Sequence, residues 1–207
     1  MFKKEELKNI IYLTISISSI LSIGYIYYLD LKLNVSNLFR SISFGITITT
    51  SFWFFYFSEG WKWPLLKNIF YRPDINGTWK GILESDYIRD GKKIEPKVFY
   101  IVIRQSFIRI HFTTFTEDFV GISYAETFTL NKDKGLKNVA YMYKKDTSQK
   151  NDDLLREGAT ELRLILSDNE KKLVGKYWSN TKTQGIISVK QVSNIHVDSF
   201  ENAQKLS

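Results

Sequence analysis

The sequence predicts a membrane-anchored all-β protein, in which an N-terminal two-helix transmembrane hairpin precedes a small eight-stranded antiparallel up-and-down β-barrel. Three observations lead there. Residues 9–29 and 41–58 contain no charged side chain. From Pro73 onward, apolar and polar residues alternate with the period of two that a strand imposes. Clusters of Gly, Asn, Asp and Ser cut that stretch into pieces of strand length.

The elements follow in order. Residues 1–8 form a cytoplasmic N-terminal segment bearing Lys3, Lys4 and Lys8. The hairpin covers 9–58. At ~1.5 Å per residue its two uncharged runs make helices of roughly 31 and 27 Å, against a hydrocarbon core of about 30 Å. A signal peptide is shorter, ends at a small-residue cleavage site and has no second span. Lys62, Lys67 and Arg72 follow the second helix and only Lys32 and Arg40 lie between the two, so flanking basic residues place both termini in the cytoplasm. Trp53 to Phe57, with Trp61 and Trp63, read as an aromatic belt at the inner interface. Thr14, Ser18 and Ser22, and likewise Ser41, Gly45 and Thr49, recur every four residues. Small residues at that spacing let helices approach closely, either within one hairpin or between hairpins of different subunits.

Residues 59–72 are a juxtamembrane linker, 73–192 the barrel and 193–207 a C-terminal tail. The strands are expected at 77–84, 97–104, 107–116, 119–130, 138–145, 159–166, 173–178 and 185–191. They are rich in β-branched and aromatic residues. Asp90-Gly91, Lys134-Gly135, the polar run 146–153, 167–170 and 179–181 supply the turns, and 151–157 could form at most two helical turns. A closed sheet of about eight strands leaves room inside for side chains or one small ligand. A two-sheet sandwich would fit the same pattern.

The chain has 207 residues, with 29 Lys and Arg against 22 Asp and Glu. The first 72 residues hold 8 basic and 4 acidic side chains, so the remainder is close to balanced. That is too even for a nucleic-acid-binding surface, and no DNA or RNA polymer is expected as a partner. With no cysteine and only His111 and His196, disulfide frameworks, thiol chemistry and Cys/His zinc sites are excluded. No nucleophile–base–acid spacing, phosphate-binding glycine loop or metal-binding His pair is present. The expectation is therefore a binding protein rather than an enzyme, with no catalytic residues, no metal and no cofactor. A nucleotide needs flat partners for its bases and fork-shaped cations for its phosphates. By chemistry and strand position the candidates are Arg104, Arg109 and Arg163 for phosphate, and Tyr124, Tyr141 and Trp178 for stacking.

The run Tyr71-Arg-Pro-Asp-Ile-Asn-Gly-Thr-Trp-Lys-Gly-Ile-Leu83, placed directly after two hydrophobic segments, resembles the SMODS-associated two-transmembrane, β-strand-rich effector family, as do Leu173-Val-Gly-Lys-Tyr-Trp-Ser179 and Gly185-Ile-Ile-Ser-Val-Lys190. These are the membrane β-barrel effectors of bacterial cyclic-oligonucleotide (CBASS) anti-phage systems. The resemblance implies a cyclic oligonucleotide ligand, most simply a cyclic dinucleotide, made by a CD-NTase. It further implies binding in the barrel, homo-oligomerisation on activation, and a breach of the inner membrane that gives abortive infection. Membrane lipid is then a partner, and the protein a multi-pass inner-membrane protein with its barrel in the cytoplasm. Gly77-Thr-Trp79 also resembles the first strand of lipocalins, where a Trp closes one end of the barrel. The competing readings are a membrane-tethered, lipocalin-like carrier or sensor of an apolar small molecule, and a scaffold whose barrel is filled by its own side chains.

Overall fold

The computed structural model describes the chain except residues 1–3, 68, 90, 132–134, 146–155, 169 and 207. It divides into two compact units, Met1–Pro73 with Ser106–Ile108, and Asp74–Gln105 with Arg109–Ser207.

The first unit is a helical hairpin. Helix α1 runs Lys4–Tyr28 and α2 runs Val35–Ser58. Asp30 takes the turn with φ 47°, and the Asn34 side chain caps α2 by accepting the Asn37 N–H at 2.8 Å. The two small-residue rows face each other within the hairpin. Ser18 Oγ donates to Thr49 Oγ1 at 3.0 Å and Trp53 Nε1 to Thr14 Oγ1 at 2.8 Å. A Cβ on Gly45 would lie 2.5 Å from the Ser18 carbonyl oxygen, so only glycine lets the helices meet there. Among the described residues one helix, α1 over Glu5–Tyr28, is long and apolar enough to cross a membrane. The run 41–58 lies within α2, which begins earlier than expected, at Val35, and six of the first eleven residues of that run are Ser or Thr, which lowers its hydropathy.

The aromatic run divides between two environments. Phe54 and Trp63 are exposed, whereas Trp53, Tyr56 and Trp61 are buried with Phe70 and Phe107 in one cluster. Helical periodicity separates neighbours in sequence onto opposite faces, so a continuous aromatic run cannot all face one way. The Arg72 guanidinium lies 4.3 Å from the Phe107 ring centre and 3.5 Å from Glu6.

The second unit is a closed antiparallel barrel. Its strands are β1 (Gly77–Ser85), β4 (Lys97–Gln105), β5 (Ile110–Thr116), β6 (Phe119–Asn131), β7 (Leu136–Lys145), β8 (Glu157–Ser167), β9 (Glu170–Ser179) and β10 (Gln184–Ser193), with β1 pairing both β10 and β4 to close it. The barrel rather than the sandwich is formed. A separate two-stranded ribbon, β2 (Ile88–Arg89) and β3 (Lys92–Lys93), turns at Gly91. The third barrel strand begins at Ile110, not at Phe107, because Phe107 is buried in the other unit. Of the short helix expected at 151–157, residues 151–155 lie outside the described residues and Glu157 is already in β8; the polar run 146–153 also lies outside them.

Inward-facing Trp79, Ile101, Ile103, Phe112, Leu162 and Leu173 fill one end of the barrel. Trp79 is fully buried and donates its Nε1–H to the Ile75 carbonyl at 3.0 Å. The C-terminal segment packs on the outside. Val197, with Phe200 and Ala203 of α3 (Phe200–Gln204), covers Tyr100, Val102 and Phe115. That cover explains why β4 is buried on both faces at its centre.

Candidate ligand cavity in the barrel

The other end of the barrel is hollow. A cavity of about 750 Å³ opens where β1, β5, β7 and β9 end and β4, β6, β8 and β10 begin, a volume suited to one small ligand. Leu83, Phe99 and Ile187 form its apolar floor, with Tyr141, Tyr143, Tyr177 and Thr160 around it and Lys97, Lys145 and Arg156 at its mouth. Ser179, Thr181 and Thr183 make a hydroxyl cluster in the β9–β10 turn, with Ser179 Oγ 2.6 Å from Thr183 Oγ1.

Strand phase places these groups. Val139 is a core residue of β7, so Tyr141 and Tyr143, two and four positions on, point inward as well. The Tyr141 ring is stacked on Phe112 with centroids 4.3 Å apart and planes 13° from parallel. Tyr143 lies over Gly158, where a Cβ would come within 2.5 Å of its hydroxyl. Tyr177 lies over Gly185 in the same manner, its Cε1 2.6 Å from that Cβ position.

The cavity keeps its tyrosines neutral. Burial raises the Tyr141 hydroxyl, opposed by Thr160, and raises Tyr143 to about 12 with a further push from Tyr177. Tyr177 is raised by burial against a hydrogen bond with Ser85. At the mouth, the Lys97 ammonium 2.8 Å from Asp118 holds that carboxyl below its ordinary range. Uncharged tyrosines donate hydrogen bonds, which is what a phosphate or a base carbonyl accepts. Their ionisation also fixes a sign. Unfolded tyrosines lose their protons near pH ~10 and the folded Tyr143 only near about 12. This stabilisation is therefore complete below the unfolded value and is lost as pH rises between the two. The barrel's melting temperature is expected to fall across that window, with a steeper fall than in Tyr143→Phe; parallel curves would refute the assignment.

Of the six residues selected by chemistry, Tyr141 lines the cavity and the other five do not. Arg104 and Arg163 are exposed, each adjacent in sequence to inward residues, Ile103 and Leu162. Trp178 is half exposed beside the inward Tyr177. Arg109 is exposed just before β5. Tyr124 is half exposed, next to the buried Ser123, at a bulge between Ser123 and Ala125. Tyr143, Tyr177, Thr160 and the mouth cations line the cavity and were not among the six. The alternation that puts Leu162 and Leu173 inside also marks Thr160 and Tyr177.

The structure also assembles a Ser–His–carboxylate group that no sequence spacing announced. Ser123 Oγ and Glu126 Oε1 both lie 3.1 Å from His111 Nδ1. A relay needs the serine and the acid on different ring nitrogens, so this is not one. Ser123 Oγ instead accepts the Phe112 N–H at 2.9 Å, where the β5–β6 pairing stops at Thr113 and Ile122.

A closed barrel with a tyrosine-lined cavity at one end and packed side chains at the other is a small-molecule-binding barrel. Residues 70–191 match the family model of the Cap15 cyclic dinucleotide receptor domain, and the chain belongs to that family. It is also similar to two proteins named CD-NTase-associated protein 15. One, from Staphylococcus schleiferi, is 26% identical over 152 residues, covering 73% of this chain and 79% of the relative. The other, from Escherichia albertii, is 28% identical over 184 residues, covering 84% and 91%.

Proposed function

We propose that this protein is a cyclic-dinucleotide-activated membrane effector of a bacterial CBASS anti-phage system. The barrel, 73–192, receives a nucleotide made by a CD-NTase. Binding drives homo-oligomerisation, and the hairpin, 9–58, disrupts the inner membrane and so aborts the infection. The single observation that carries the receptor half is the cavity in a barrel of the Cap15 receptor family. Tyr141 is the stacking group retained from the sequence reading, and Lys97, Lys145 and Arg156 take the phosphate role in place of the outward arginines.

The hydroxyls of Tyr141, Tyr143, Tyr177, Thr160 and Thr114 give the cavity a polar lining beside its mouth cations, which supports a nucleotide over an apolar molecule. For the membrane half, the exposed hydroxyls of α2 bond their own helix. Thr47 donates to the Ser43 carbonyl at 2.8 Å, and Ser51 and Ser58 do likewise to Thr47 and Phe54. Hydroxyls satisfied in this way are tolerated in lipid, which supports a second span; the reading of both termini as cytoplasmic rests on the flanking Lys and Arg residues alone.

The test is calorimetric titration of the full chain in detergent with 3′,3′-cyclic dinucleotides of A, G, C and U, with a fatty acid in parallel. One nucleotide is expected to bind selectively, and to weaken as salt rises because its phosphates meet cations. At a hundredfold excess over Kd it should stabilise the fold by about 2.7 kcal/mol. Binding of the fatty acid alone would establish the carrier reading instead, and silence from the whole panel would overturn the receptor.

A further inference from the structure

Trp178 does not reach the cavity and belongs instead to an apolar row on the outer wall of the barrel. The strand register sets it beside Ala159 of β8. Ala159 lies beside Met142 of β7, and Met142 beside Ala125 of β6. Trp178, Ala159 and Met142 each follow or precede a buried residue, Tyr177, Thr160 and Tyr141, so all three point away from the core. Trp178 is 50% exposed and Met142 46%, and Tyr124 stands at the β6 end of the row, 47% exposed.

Scattered apolar residues on a surface need no explanation, but a contiguous row of them marks a contact site. Trp, Tyr and Met are also the side chains in which association surfaces are enriched. Elsewhere on the outer wall the chain covers its own apolar residues, with Val197, Phe200 and Ala203 packed over Tyr100, Val102 and Phe115. The Trp178 row has no such cover from the described residues.

The shape of the row indicates what covers it. Size alternates along it, large at Trp178 and Met142 and small at Ala159 and Ala125. A twofold axis parallel to the strands, passing between β7 and β8, lays a second copy on the row with every large side chain over a small one. Trp178 then meets Ala125 of the other copy, and Met142 meets Ala159. A face that pairs with itself must be self-complementary in this way. The adjoining row sets Lys176 beside Glu161, so its rim carries both signs of charge and presents no single-sign field to a second copy.

We propose that this row is the surface through which two copies of the barrel associate. The inference rests on the reading of the protein as an effector that assembles, and deepens it by placing the contact. Four strands span only roughly 14 Å, a face well short of the ~800 Å² per partner that a stable complex buries. The contact is therefore weak in dilute solution and gains from anything that concentrates or tethers the copies. A twofold face closes on itself, so the dimer is the unit it builds.

The test is sedimentation velocity of the full chain in detergent over a wide range of protein concentration, with and without the same 3′,3′-cyclic dinucleotides. Trp178→Lys is compared with wild-type and with Ile82→Lys, which places the same charge at an equally exposed apolar position on β1. Wild-type and Ile82→Lys are expected to pair at the same concentration, and Trp178→Lys to need about thirtyfold more, as for loss of one anchoring side chain. Calorimetry at concentrations where every variant is single should give Trp178→Lys the wild-type nucleotide affinity, because Trp178 is outside the cavity. Pairing of Trp178→Lys at the wild-type concentration, or equal weakening by Ile82→Lys, would overturn the surface and leave the receptor reading standing. So would a wild-type chain that binds a nucleotide yet stays single throughout. A wild-type chain that binds no nucleotide but pairs through Trp178 would keep the surface and overturn the receptor. One that neither binds nor pairs would overturn both.

Discussion

Trp79→Ala is expected to melt on the order of 10 °C below the wild-type chain, a loss of about 3–5 kcal/mol. Trp79 is fully buried, at the packed end of the barrel, among Ile101, Ile103 and other inward residues of facing strands. Truncation removes its contacts and leaves a cavity too enclosed to collapse, the circumstance in which large-to-small changes cost most. It also leaves the Ile75 carbonyl without the indole N–H that now meets it at 3.0 Å. Trp79→Phe separates the two contributions by keeping most of the volume while losing the donor, and should cost about 1–3 kcal/mol. Thermal unfolding followed by near-ultraviolet circular dichroism measures both. Because the hollow end involves Leu83 and Ser85 and not Trp79, nucleotide affinity of the folded fraction should survive Trp79→Phe. A Trp79→Ala protein as stable as wild-type would mean that the packed end is not what holds the barrel closed.

The barrel was legible in the sequence because each strand carries its own record of burial. Leu162 and Leu164 alternate with Glu161 and Arg163, and the structure keeps that split. The same record held most of the cavity, yet chemistry drew attention to the wrong phase. Arg163 and Trp178 are the more conspicuous side chains, but their inward neighbours Leu162 and Tyr177 show that they point out. Two features were beyond the reach of alternation. The bulge at Tyr124 inserts a residue and reverses the phase of all that follows on β6, so Glu126 pairs with the inward Tyr141. Lys97 opens β4 whereas Lys145 and Arg156 flank the β7–β8 connection, far from it in sequence, and only the barrel's closure brings the three to one opening. In the helical unit the charge-free runs marked both helices, but a four-residue spacing of small residues does not say which helix it faces.

Gly45→Leu is expected to abolish the growth arrest proposed for the activated protein while leaving nucleotide affinity unchanged. The Ser41, Gly45 and Thr49 row is buried against α1, with a Cβ at Gly45 falling 2.5 Å from both the Ser18 carbonyl and Ser22 Oγ. The carbonyl is backbone and cannot rotate away, so a leucine must part the helices along the Ser18–Thr49 contact. The chain's lack of cysteine gives a direct readout. Ser18→Cys with Thr49→Cys should cross-link readily under oxidation in the parent, and poorly once Gly45→Leu is added. Thr47→Leu is the comparator, because Thr47 is exposed on α2 and bonds only its own helix, and it should leave that cross-link intact. The pair of variants separates two roles for the hairpin. Arrest lost with Gly45→Leu and kept with Thr47→Leu makes the close packing of α1 on α2 the requirement. If both variants lose arrest while the Thr47→Leu cross-link persists, the outward face of α2 is also needed, as an interface between copies would require. Arrest that persists when Gly45→Leu has broken the cross-link would show that the membrane is breached without a paired hairpin.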